Sequence, residues 1–203
     1  MLDTLYEYTS KWSLSVNTSN TKIVVFRNGG KVNANEKWFY DNKEIEVVDS
    51  FTYLGVLLNY NGKYNVLQNN LAEQGRKAVF ALRRSIKSMY LNCTTLLSLF
   101  DTYINSILSY GCEAKGAHKA PDIERVHLNY LKNILHVKSS TNNVMVYYEL
   151  GRFPLIYHRK FRIFRYWSKL LKSQNSILRN CYEYLFVELE PCPNNKTNWL
   201  YFY

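Results

Sequence analysis

Between Arg152 and Arg179 the chain carries eight Lys or Arg and no Asp or Glu, with Phe153, Tyr157, Phe161, Phe164, Tyr166 and Trp167 threaded among them. Cations spaced along one segment neutralise phosphates of a nucleic-acid backbone, and aromatic rings between them offer faces on which bases stack. Charge is unevenly spread over the 203 residues. Residues 1–64 hold seven basic and seven acidic side chains, residues 65–203 hold nineteen and nine, and the net +10 therefore arises in the second part. Such an imbalance points to a polyanionic partner for that part, against the plainer reading of a solvated basic helix face.

Other chemistry is scarce. No Gly-rich loop precedes a helix, no Gly-x-Ser-x-Gly elbow occurs, and His118, His127, His136 and His158 are not spaced as a metal motif. His127 and His136 read as ordinary helix residues. Cys93, Cys112, Cys181 and Cys192 are far apart, with no C-x-x-C pair, and read as structural thiols. Glu36, Asp41, Glu44, Glu46 and Asp49 crowd around an expected hairpin as a solvated rim, whereas two-metal phosphoryl transfer gathers carboxylates at strand ends. No catalytic residue, metal ligand or cofactor is assigned to this chain. No run approaches the roughly 20 apolar residues that cross a bilayer, and MLDTLYEYTSKW lacks the basic start and apolar block of a signal peptide. An intracellular protein, nuclear or cytoplasmic, is expected.

These residues need elements to hold them. Leu2, Leu5, Tyr6, Tyr8 and Trp12 fit one face of a short helix. Thr21–Arg27, TKIVVFR, is β-branched and aromatic and is closed by Gly29 and Gly30, which predicts a strand. Lys37–Tyr40 and Glu44–Val48 flank Asp41 and Asn42 as a hairpin, and Phe51–Leu58, FTYLGVLL, reads as one further strand with a bulge or close approach at Gly55. From about residue 66 the apolar period lengthens to about 3.6. Leu67, Leu71, Gly75, Ala78, Val79, Leu82 and Ile86 form a stripe, with Arg76, Lys77, Arg83, Arg84 and Lys87 largely off it. A second helix, Thr94–Tyr110, is apolar nearly all round and should be the centre of the core. Pro121 and Pro154 suit first helical turns, predicting helices to about His136 and Lys172, and a last amphipathic piece spans Ile177–Glu190. The expected fold is α+β: a small antiparallel sheet over residues 1–64, a helical bundle over 65–190, and a tail over 191–203.

The order of these motifs resembles the reverse transcriptases of non-LTR retrotransposons, downstream of their catalytic aspartates. The likeness is carried by LDTLYEYTSKWSLSVNTSNTKIVVFR, by FTYLGVLLNYNGK, and by LFDTYINSILSYGCEAKG followed by an Asp-Ile-Glu helix, and it extends to about residue 172. In that family a helix behind the Ala-Asp-Asp box leads into Trp-x-Leu-x-Val-Asn, then Lys-Thr and a hydrophobic strand ending in Phe. Here the matching positions are Trp12, Leu14, Val16 and Asn17, then Asn20 with Thr21, and Phe26. Tyr53, Leu54 and Gly55 look like the hairpin that grips the primer end. The resemblance implies a palm edge in residues 1–64, and a thumb and post-thumb region that follows the backbone of a template-primer duplex of RNA or DNA. Phosphate contacts are then expected from Arg76, Lys77, Arg83, Arg84 and Lys87, and from Arg159, Lys160, Arg162, Arg165, Lys169 and Lys172, with stacking from Tyr53 or Tyr166. It also implies that the carboxylates holding the family's Mg²⁺ ions precede Met1, so these residues alone should bind nucleic acid without polymerising. Asn20 stands where the family commonly has Lys, and Ala114-Lys115 where relatives have Val-Trp. A different class of reading is a helical interaction or membrane-surface module with no polymerase role, since basic amphipathic helices also bind anionic lipid.

Overall fold

The computed structural model describes residues 2–27, 29–30, 36–115, 119–180 and 183. The fold is α+β, and the chain divides between Tyr64 and Asn65 into two compact units. His118, Cys181, Cys192, the tail and most of the expected 177–190 piece lie outside the described residues.

The first unit opens with helix α1 (Leu2–Lys11), followed by strands β1 (Trp38–Tyr40), β2 (Lys43–Ile45), β3 (Ser50–Tyr53) and β4 (Val56–Asn59). Strands β1 and β2 pair antiparallel around Asp41 and Asn42, whose φ angles of 48° and 59° are the two left-handed residues that a tight primed turn requires. The expected single strand FTYLGVLL is instead a second hairpin. β3 pairs with β4 from Ser50↔Asn59 to Tyr53↔Val56, and Leu54 and Gly55 form its tip with φ of 47° and 76°. Gly55 thus reverses the chain. The expected strand 21–27 is also corrected: Ile23 makes one parallel bridge to Val47, and Arg27 N–H donates to the Tyr60 carbonyl at 2.8 Å, with no continuous ladder. Its partner leaves after Val48 to pair with β4 in antiparallel fashion, which ends the run. α1 is anchored by Thr9, whose hydroxyl is 2.6 Å from that of Tyr40, while Leu5, Tyr6, Tyr8 and Trp12, its expected apolar face, are exposed.

The second unit is helical. Helix α2 (Asn65–Ile86) buries Leu67, Leu71, Ala72 and Gly75. The expected helix 94–110 is three pieces: α3 (Cys93–Leu99), a π turn (Phe100–Ile104) and α4 (Asn105–Leu108). Asn92 caps α3, accepting the Thr95 N–H at 2.8 Å. The segment is not apolar all round. Phe100, Ile104 and Leu108 point inward, Tyr103 is exposed, and the widened turn also buries Asn105 and Ser109, which satisfy each other at 2.8 Å. Then follow α5 (Cys112–Lys115), α6 (Pro121–Ile134), α7 (Asn143–Glu149) and α8 (Leu155–Lys172). Pro121 opens α6 at its first turn, and α6 packs on both α2 and α8. The core of the unit is Leu71, Phe100, Ile104, Leu108, Ile123, Leu131 and Ile163.

Candidate nucleic-acid interface

Helix α2 presents its cations because its apolar stripe is turned to α4 and α6. Gly75 permits the close approach: a Cβ there would meet Leu108 Cδ2 at 2.5 Å. Off that stripe Arg76, Lys77, Arg83, Arg84 and Lys87 are all exposed, Arg76 and Arg83 on the flank towards α6. Arg76 is tied to Glu73 through Nε at 3.0 Å and Nη2 at 2.7 Å, and this pairing holds the Glu73 carboxyl below its ordinary range. The other four make no ion pair among the described residues. Between α2 and α6 lies a groove of about 240 Å³, into which Arg76 and Arg83 come from one helix and Arg125 from the other, with Asn129, Tyr130 and Asn133 completing it. Arg125, paired with Asp122 at 3.0 Å, was not among the residues singled out from the sequence. Only the α2–α6 packing brings it to the others.

Helix α8 sorts the remaining cations into two sets. Leu155, Arg159 and Ile163, four residues apart, form its inward row, and Arg159 is only 2% exposed. The expectation that Arg159 contacts a phosphate is corrected on this geometry. Among the described residues its Nε and Nη1 find no hydrogen-bond partner, and burial lowers its pKa against the attraction of Cys112 and Glu124. Arg162 is half-buried and donates to Glu113 through Nε at 2.9 Å, with Nη2 2.6 Å from the same oxygen. Lys160, Arg165, Lys169 and Lys172 are exposed and make no ion pair among the described residues. Tyr166 is exposed on the same helix.

The start of α8 is fixed by Glu124 of α6, whose carboxylate accepts the Leu155 N–H at 2.9 Å and the Ile156 N–H at 2.6 Å. A carboxylate there meets the unpaired amides and the positive end of the helix dipole. Burial nevertheless raises the Glu124 pKa, outweighing those two bonds. Alongside runs a cleft of about 700 Å³, walled by the π turn side, by His127 and by the first turns of α8. His127 is buried to 1% exposure, stacks on Phe100 at 4.9 Å, and among the described residues has no hydrogen-bond partner for Nδ1. Burial, assisted by the Arg152 charge, pushes its pKa down to about 3, so the imidazole is neutral at physiological pH. Arg152 reaches Asp101 at 2.7 Å and the Leu97 carbonyl at 3.2 Å. Cys112 is buried beside Glu113, and its thiol is pushed up to about 11, which makes it unreactive.

In the first unit Tyr53, Leu54 and Gly55 occupy the β3–β4 tip, with Tyr53 and Leu54 exposed. Among the described residues no group of three or more His, Cys, Asp or Glu side chains is placed to hold a metal ion, and no helix is long and apolar enough to cross a membrane. In comparisons with known proteins, no family model, no curated protein and no solved structure matches the chain.

Proposed function

We propose that the chain is part of a non-LTR retrotransposon type reverse transcriptase, and that its helical unit binds a template-primer duplex of RNA or DNA through the phosphates. The motifs from Trp12 to Phe26 and from Phe51 to Lys63 support the family reading. One observation carries the binding reading: three guanidinium groups, Arg76, Arg83 and Arg125, are brought by two helices to a single groove. Guanidinium forks match phosphate oxygens, and while Arg76 is tied to Glu73 and Arg125 to Asp122, Arg83 makes no ion pair among the described residues and is open to one. Lys77, Arg84 and Lys87 extend the same positive field along α2. The family's Mg²⁺ ions need gathered carboxylates, which the described residues do not offer, so no step is assigned to a metal here.

Two measurements test the reading. Duplex affinity measured against salt should give a log–log slope of roughly −5 for B-form DNA, as for about five or six neutralised phosphates, and a slope near zero would reduce the basic faces to solvated surface. Primer extension by the purified chain with Mg²⁺ or Mn²⁺ should stay at background. Nucleotide incorporation would overturn the assignment of this stretch to the region behind the catalytic box.

A further inference from the structure

The cleft beside α8 has a composition that duplex binding does not require. Phe153, Tyr157 and Phe161 stand on its rim at successive four-residue spacings, with exposures of 77%, 62% and 64%. Three large exposed rings that line one cleft offer aromatic faces to whatever enters it. Lys160 and Arg165 lie one helical turn from Tyr157 and Phe161, while the charged groups of the lining are neutralised in pairs, Arg162 by Glu113 and Asp101 by Arg152. The interior of the cleft adds Asn105 and Ser106, which carry hydrogen-bonding groups, and the neutral His127 ring as part of its wall. A cleft of about 700 Å³ lies within the range of sites that enclose small organic groups.

We propose that this cleft receives an unpaired nucleotide, its base stacked on Tyr157 and Phe161 and its flanking phosphates held by Lys160 and Arg165. The proposal rests on the nucleic-acid reading and narrows it to a junction between duplex and single strand. Stacking suits the site because every base has an aromatic face, so the rings select unpaired bases and not a sequence. A duplex keeps its bases inside and offers such rings nothing. A lipid surface is the other partner that aromatic and basic residues attract, but a flat interface cannot enter a concave site, whereas a single base can.

The test compares the full-length chain binding a blunt RNA–DNA hybrid with the same hybrid carrying a short unpaired tail, by fluorescence anisotropy. The tailed hybrid should bind tighter by about fivefold or more, the worth of a stacked base. Tyr157→Ala and Phe161→Ala should remove that preference while leaving blunt-hybrid affinity within about twofold, and Tyr157→Trp, which keeps a ring, should retain it. Circular dichroism confirms that each variant is folded. Equal affinity for both hybrids, or a preference untouched by both alanine variants, overturns the cleft proposal while leaving duplex binding standing. No binding to either hybrid overturns both readings. Capture by anionic vesicles that is lost in Phe161→Ala, with no preference between the hybrids, assigns the rings to a membrane and overturns the proposal as well.

Discussion

His127 shows how far a single side chain departs from what its sequence position suggests. It reads as an ordinary helix residue, yet Ile123, Val126, Tyr130 and Leu131 of α6 are buried around it, and it is sealed against Phe100 and Tyr147. Its folded pKa of about 3 lies below the unfolded value near 6.5, so protons bind the unfolded chain preferentially between those limits. Its contribution to stability is complete above about pH 6.5 and declines by about 1.4 kcal/mol per unit as pH falls towards 3. We expect the urea midpoint of the chain to be flat near neutrality and to fall through pH 6 and 5, and His127→Phe, which keeps a ring against Phe100, to flatten that fall. An unchanged slope in the variant would assign the acid sensitivity elsewhere. Arg159 gives the complementary case. It lies four residues from both Leu155 and Ile163, so its inward placement was readable from helical spacing; the density of charge around it drew attention to the surface instead. Arg159→Met should leave duplex affinity unchanged, because the guanidinium does not reach solvent, whereas Arg165→Ala should weaken binding and lower the salt slope by about one. Loss of affinity in the Met variant with the helical content intact would show that Arg159 emerges to meet the ligand.

At the scale of elements, α6 and α7 end in the same way with different residues. His136 has φ of 54° and is followed by a Val137 N–H to Lys132 carbonyl bond of 3.1 Å; Gly151 has φ of 58° and is followed by an Arg152 N–H to Tyr147 carbonyl bond of 2.8 Å. Both are Schellman closures, in which the left-handed residue is usually glycine because a side chain there costs about 1 kcal/mol. His136→Gly should therefore stabilise the chain by about 0.5–1 kcal/mol and Gly151→Ala should destabilise it by a similar amount, both read as shifts in the urea midpoint. A destabilised glycine variant would mean that the His136 ring contributes more than its backbone costs. The helices were legible because their apolar residues recur every three or four positions and because Pro121 and Pro154 mark their starts. The β3–β4 hairpin was not legible from the residue pattern, since FTYLGVLL runs apolar without a break and its turn places Leu54, an unfavourable residue, in a left-handed conformation; only the resemblance pointed to a hairpin at Tyr53, Leu54 and Gly55. The short helices α5 and α7 were missed for want of length: four and seven residues do not establish a period. The three-arginine groove and the α8 cleft depend on pairing between helices, and no spacing within one segment reveals them.

Across the whole molecule, stability and charge are both concentrated after Asn65. Among the described residues the buried hydrophobic side chains of the first unit are Tyr40 and Ile45, while those of the second include Leu67, Leu71, Phe100, Ile104, Leu108, Ile123, Leu131 and Ile163. Ile23, Val25, Val56 and Leu58, the residues expected to face a sheet, are only half-buried, and α1 leaves Leu5, Tyr6, Tyr8 and Trp12 exposed. Two short hairpins with so little buried apolar area have few contacts to lose when they open, since two-stranded pairings are marginal in water without a packed face. The helical unit instead closes its own core, with Phe100 stacked on His127 and 4.9 Å from Tyr130, and with Glu124 bonding α8 to α6. The amides of the two hairpins, residues 38–59, should therefore exchange with solvent orders of magnitude faster than those of Phe100–Leu108, and hydrogen–deuterium exchange read by mass spectrometry resolves the two peptides. Addition of a duplex should slow exchange on the exposed face of α2 and leave the hairpins unchanged if the phosphates sit in the arginine groove. Equal protection in hairpins and helices of the free chain would show that the first unit is held by contacts stronger than its buried surface indicates, and the reading of residues 1–64 as a palm edge would lose its physical basis.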